Sequence, residues 1–352
     1  MAIYLLNFIS IPIYDLLIKN KKRLVFIIAL QLFLILSLRA DTLGVDLENY
    51  KQFYEFYQTL SFGEIMRGFR LIGGSTHDLG VESGYVLLNW VIGKLGFSFH
   101  SFLVIYAAIV VTSISVFIYR YCDNAALGFA TFISLGAFVS FFGILRQSLA
   151  LAIFLFAIPS LEKRKFWRYL AYVVLAGLFH QSLFIAIALY FLAKLKANKT
   201  LYTVFLGMSM VFIVITPMLY NKVIFPILVK LGRYYYISDF EWNNMFAVML
   251  VFAIFFMFFF KNREREDNSM QCAFLISIPL QALAFYIPIF SRVANAVFFN
   301  FVCVLLPNTL SRLETKSQRL QANTVAYVGL FAFYLYTMID SVLVPYVPFW
   351  AV

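Results

Sequence analysis

Arg146, Arg292 and Arg233 stand apart from the other cations of the chain, because they sit between long apolar runs or in the stretch 221–242 rather than in a basic cluster. A guanidinium is always charged and presents a planar fork that fits two oxygens of a phosphate or pyrophosphate. His180 occupies a short polar interruption of an apolar stretch, and Asp46 and Glu82 are carboxylates in the hydrophilic segment 41–83. A neutral imidazole or a carboxylate can take the proton from an attacking hydroxyl. Arginines can stabilise the charge that develops on a pyrophosphate leaving group. Tyr50, Tyr234 and Tyr235 offer aromatic faces of the kind on which sugar rings stack. The set as a whole fits glycosyl transfer from a lipid-linked pyrophosphate sugar, without metal or nucleotide.

Each residue also has a plainer reading. Arg39 and Lys94 can be snorkelling side chains at helix ends. His180 can be a hydrogen-bonded structural histidine. Arg146 and Arg292 can be internal partners of Asp or Glu, and the tyrosines 234–236 can belong to the aromatic belt of a membrane interface. The residues alone do not choose between His180, Glu82 and Asp46 as base.

Several chemistries lack their signatures. There is no Gly-x-x-x-x-Gly-Lys-Ser/Thr loop, no His-Glu-x-x-His spacing and no Gly-x-Ser-x-Gly elbow. With 3 histidines a histidine-based metal site is not expected, although two or three carboxylates could still hold one Mg²⁺. No cofactor is expected. The cysteines, Cys122, Cys272 and Cys303, lie far apart in or beside apolar spans and read as small core residues.

The elements that must position this chemistry are membrane helices. Of the 352 residues, 63% are hydrophobic and 13% charged, about half the charged fraction of a soluble domain, and the mean hydropathy is +0.86. The net charge of +11 does not indicate a nucleic-acid partner, because no polar basic face exists to carry it. Low-charge spans run at 24–38, 101–119, 125–145, 147–161, 169–193, 200–220, 243–260, 269–291, 293–311 and 323–339. Backbone in lipid must be satisfied within a helix or a closed barrel, and barrel alternation is absent, so each span is expected to be helical. The run 3–18 is either a further crossing or an interfacial helix.

The cationic clusters at 19–23, 163–168, 194–199, 261–265 and 312–319 belong on the cytoplasmic side. A single crossing by 169–193 would put two of them on opposite sides. That segment is therefore expected to be a short helical hairpin turning near His180, and the same parity makes 84–98 a re-entrant or interfacial helix on the outer side. The fold class is thus an all-α polytopic membrane protein, a single transmembrane helical domain over 1–352 with about 11 transmembrane helices of roughly 20 residues each. Two outer loops follow, at 41–83 and 221–242. Arg39, Asp41, Asp46, Arg70, His77, Asp78 and Glu82 fall in or beside the first of them, so the unusual polar residues collect at the outer face.

Four motifs then resemble the EpsG-type, or Wzy-type, polysaccharide polymerases. Arg39, Gly44, Asp46 and Tyr50, followed by Phe53, resemble an R-x(n)-G-x-D-x-x-x-Y pattern. Glu82, Gly84, Tyr85, Leu88 and Asn89 resemble E-x-G-Y-x-x-L-N, Arg146 with Leu149 and Ala150 resembles R-x-x-L-A, and Phe179, His180 and Ser182 resemble F-H-x-S. Arg292 resembles a late arginine of the same family. The match in order and spacing covers about 24–300.

The resemblance implies a GT-C-like membrane glycosyltransferase of the bacterial inner membrane, polymerising undecaprenyl-pyrophosphate-linked oligosaccharide repeat units at the periplasmic face. It implies Arg146, Arg292 and Arg233 as pyrophosphate binders, and His180, Glu82 and Asp46 as base or positioning residues. On the same reading of the site, Tyr234, Tyr235 and Tyr50 are the sugar contacts. The partners that the resemblance implies are those lipid-linked oligosaccharides, membrane lipid and a chain-length regulator protein. The product would be an O-antigen, as in lipopolysaccharide, or a capsule. Two rivals remain. A flippase for the same lipid would show two symmetric halves with matching broken helices, and only one such hairpin is visible. An acyltransferase would place its histidine where a cytoplasmic donor reaches it.

Overall fold

The computed structural model describes residues 1–71, 80–226, 241–259, 265–339 and 341–351. His77, Asp78, Arg233, Tyr234, Tyr235 and Tyr236 therefore lie outside the described residues, as does most of the stretch 221–242. Among the described residues all regular structure is helical, and the one pairing of extended backbone is an isolated bridge between Arg39 and Pro348. The chain divides into two compact units, 1–187 with 306–352, and 188–305.

The first unit opens with α1 (Ala2–Leu17) and α2 (Lys21–Ser37), then α3 (Leu47–Tyr57), α4 (Phe62–Gly68) and α5 (Ser83–Lys94). Its central element is α6 (Phe99–Tyr121). Short polar side chains start the helices where the sequence offers them: Asn20, Ser98 and Asn124 accept the backbone N–H of Arg23, Ser101 and Leu127. Such caps satisfy donors that a helix start leaves open. Beyond them every helix here is held by packing of apolar faces, α2 and α9 (Leu145–Leu155) against α6 above all.

Among the described residues four helices are long and apolar enough to cross a membrane: α6, α13 (Lys199–Leu219), α16 (Ile289–Ser311) and α17 (Lys316–Ile339). The others are shorter, and two expected spans are not single rods. The span at 125–145 is α7 (Ala125–Ser134) and one turn, α8 (Ala137–Ser140), parted at Gly136, whose φ of +93° ends the helix. The span at 147–161 is α9 followed by α10 (Ile158–Glu162), which begins at a proline-bearing turn. Hydropathy sees the apolar content of these runs but not the interruptions that divide them.

The chain does turn back at His180. α11 (Phe166–Gly177) ends at a glycine where a Cβ would collide with the Phe184 ring. A 3₁₀ turn, Gln181–Ile185, then returns the chain to α12 (Ala186–Leu192). The Tyr169 hydroxyl donates to the Ala186 carbonyl (2.6 Å), which ties the returning strand of the hairpin to the start of the outgoing one.

The segment 341–351 closes the first unit by lying along the end of α2. Ala40 N–H donates to Val347 O (2.8 Å) and Phe349 N–H to Leu38 O (2.9 Å). The Tyr4 and Tyr346 hydroxyls donate to Leu343 O and Ile35 O, and His100 stacks on Phe349 while pairing with Asp41 at 2.9 Å.

The second unit contains α13, α14 (Asn244–Phe258), α15 (Arg265–Leu283) and most of α16. α13 and α15 pack side by side along their lengths. Asn268 ties the stretch before α13 to this pair, accepting from Ala197 N–H (2.7 Å) and donating to Leu195 O (2.9 Å).

Candidate functional site

Three of the motifs meet at one carboxylate. Glu82 stands immediately before α5 and is 7% exposed. One of its oxygens accepts from Arg146 Nη1 at 2.6 Å, and the other lies 3.1 Å from His180 Nδ1 and accepts the Gln181 N–H at 3.3 Å. These groups come from three separate places: the turn into α5, the first turn of α9 and the break after α11.

Local backbone explains how they converge. Gly84 N–H donates to Leu178 O (2.8 Å), and a Cβ on Gly84 would stand 2.8 Å from that same carbonyl oxygen. A side chain there would hold α5 away from the hairpin. Glycine is thus what lets Glu82 reach His180. On α9, Arg146 follows the tight turn 141–144, which carries it to the start of a new helix rather than to the end of a continuous span.

The electrostatics are those of a buried charge with its partners in place. Burial raises the Glu82 carboxyl, but the His180 hydrogen bond and the Arg146 charge outweigh burial and hold it below the ordinary glutamate value. An ionised carboxylate only accepts, so Nδ1 of His180 donates to it, which leaves Nε2 as the ring nitrogen not engaged by Glu82. The Arg146 guanidinium also bonds the Tyr50 hydroxyl, and its Nε has no partner among the described residues. The pair with Glu82 therefore does not exhaust the five donors of the fork.

The other sequence candidates are placed as follows. Tyr50 is 6% exposed, packed edge-on against Tyr85 with its hydroxyl turned to Arg146, so it presents no open face. Asp46 precedes α3 in a left-handed conformation (φ +65°) and is exposed. Arg292 belongs to the second unit, next to Ser291, whose hydroxyl receives the amides of Asn243 and Asn295. Lys94 is exposed. Arg39 does not snorkel: it is 0% exposed, between aromatic rings. Arg146 is not the bare cation that its flanking apolar runs suggest, because Glu82 neutralises it.

Sequence reading missed Tyr57. Its ring is fully buried, and its hydroxyl has no partner among the described residues and lies in the field of Arg146 and Glu82. The signal was available, since Tyr50, Tyr54 and Tyr57 fall at positions i, i+4 and i+7 on one face of α3. The Asp41–His100 pair was missed for a different reason, since nothing local in sequence joins residues that far apart.

No curated protein and no solved structure matches the chain. The EpsG family model matches residues 22–349, a range that takes in all four motifs and both units. By that match the chain belongs to the EpsG family, the Wzy-type polysaccharide-polymerase-like family of membrane proteins.

Proposed function

We propose that the protein is a membrane glycosyltransferase that polymerises undecaprenyl-pyrophosphate-linked oligosaccharide repeat units, with its site on the periplasmic face of the inner membrane. The observation that carries this reading is the meeting of Arg146, Glu82 and His180 at one buried carboxylate in a member of this family. His180 acts as base: Glu82 holds Nδ1, which directs Nε2 to the hydroxyl of the acceptor sugar. Arg146 uses its remaining donors on the pyrophosphate of the donor lipid, where charge grows as the glycosidic bond to phosphate breaks. Arg292 is a further pyrophosphate ligand with Arg233 as its alternate, Asp46 orients the first loop or a sugar hydroxyl, and Tyr234 and Tyr235 are sugar contacts. Tyr50 serves through Arg146 rather than as a stacking platform.

The test is incubation of the purified protein in lipid vesicles with lipid-linked repeat units. A ladder of polymers, lost in His180→Ala, supports the proposal. Translocation of the lipid without ladders identifies a flippase instead.

A further inference from the structure

Among the described residues Arg39 heads the largest fully buried side chains, and no carboxylate pairs with it. Burial lowers its pKa to about 10, with Tyr106, Tyr346, Tyr4 and Asp41 opposing that fall, so it stays a cation at neutral pH. A buried, uncompensated cation is costly, and a fold keeps one only for a reason.

Its surroundings supply the reason. The guanidinium lies 5.0 Å from the Phe142 ring centroid and 6.0 Å from that of Tyr106. Its Nη1 donates to Phe141 O (3.4 Å), which also receives the Tyr106 hydroxyl (3.0 Å). Two glycines bring the same two segments together. A Cβ on Gly44, whose φ is +150°, would overlap the Phe142 carbonyl, and a Cβ on Gly143 would stand 2.7 Å from Val45 O. The stretch from Arg39 to Val45 is thus docked at three points on the turn 141–143, and Arg146 begins its helix directly after that turn.

We infer that Arg39, with Gly44 and Gly143, is a positioning element for Arg146: it fixes the turn that aims the guanidinium at Glu82. The Arg39 side chain itself reaches no substrate. Its cation–π and carbonyl contacts suit a delocalised planar ion and not a lysine ammonium. The inference concerns geometry within the first unit. Only its activity arm rests on the polymerase reading.

A double-mutant cycle tests it on purified protein in nanodiscs. Thermal midpoints are measured for wild type, Arg39→Lys, Arg146→Gln and the double variant. If Arg39 sets the Arg146–Glu82 geometry, Arg146→Gln lowers the midpoint clearly less in the Arg39→Lys background than in wild type. Additive shifts overturn the inference. In the activity arm, with amounts matched for folded protein, Arg39→Lys raises the KM for the lipid-linked unit about 10-fold to 100-fold, the scale of an ångström misplacement. An unchanged KM counts against the inference, because a merely structural loss would reduce the active fraction alone. Where Arg39→Lys fails to accumulate, Gly143→Ala perturbs the same dock and enters the cycle in its place. Coupling in the cycle without any wild-type ladder leaves the positioning role standing and sinks the polymerase reading.

Discussion

Removing the Arg146 guanidinium leaves the Glu82 carboxylate buried with His180 and backbone N–H groups to hold it, and without its permanently charged partner. Breaking a buried pair costs about 3–5 kcal/mol. The Arg146 side chain is 25% exposed, so about 2–4 kcal/mol is expected for Arg146→Ala after allowing for solvent screening. Its thermal midpoint should fall clearly. Arg146→Lys keeps the charge, should melt closer to wild type and should still polymerise poorly, because the planar fork is lost; normal ladders from this variant would remove Arg146 from pyrophosphate binding. Glu82 gives a pH signature. Its folded pKa lies below the ordinary value, so its ionised form stabilises the fold at neutral pH, and that contribution is lost as pH falls through the lowered folded value. Glu82→Gln should therefore melt below wild type at pH 7, and the gap should narrow on acidification below the usual carboxylate range. A gap constant from pH 7 to the onset of acid unfolding would contradict the ion-pair account.

At the scale of elements, the meeting of α5 with the hairpin depends on one missing methyl. Gly84→Ala puts a Cβ 2.8 Å from a backbone carbonyl that has little freedom to retreat. Overpacking of this kind costs about 1–3 kcal/mol, and here it also lengthens the Glu82–His180 contact. The variant should lose most polymerisation with a modest drop in thermal midpoint, measured side by side. The break at His180 was legible in sequence, because charge parity across 169–193 asked for a turn and His180 marked the polar interruption. Charge parity also put Arg146, Glu82 and His180 among a larger set of outer-face polar residues. Their pairing was not legible: Glu82 and His180 are 98 residues apart, and only packing decides which buried cation a carboxylate meets. The breaks at Gly136 and in the stretch before α10 also escaped, since an apolar run reads alike whether it is one helix or two.

Two expectations apply to the whole molecule. The basic runs 163–168 and 194–199 should share one side of the membrane, because the chain reverses between them. Single cysteines at 164 and 197, labelled with an impermeant reagent in intact cells and in inverted vesicles, check this; labelling from opposite sides would refute the hairpin topology. Polymerisation should also survive EDTA, since arginines and a histidine supply the charge stabilisation and proton transfer without metal-ligand spacing in the sequence. A loss restored by Mg²⁺ or Mn²⁺ would require carboxylates to act as ligands. With 61% of its most apolar window buried, α6 is a spine of the first unit, whereas the corresponding window of α17 is 17% buried and faces outward along most of its length. That contrast makes α17 the tolerant place for surface changes and α6 the intolerant one.

The latch of 341–351 on the end of α2 has a consequence in time. Tyr346 and its acceptor Ile35 are 311 residues apart, and ribosomes add roughly 5–20 residues per second. For roughly 15–60 s of each synthesis the early helices wait in the membrane with the end of α2 uncovered and the Ile35 and Leu38 carbonyls without these partners. The turn 141–143 can hold Arg39 early, but the cover over the end of α2 arrives only once α17 has been threaded and the segment after it folds back.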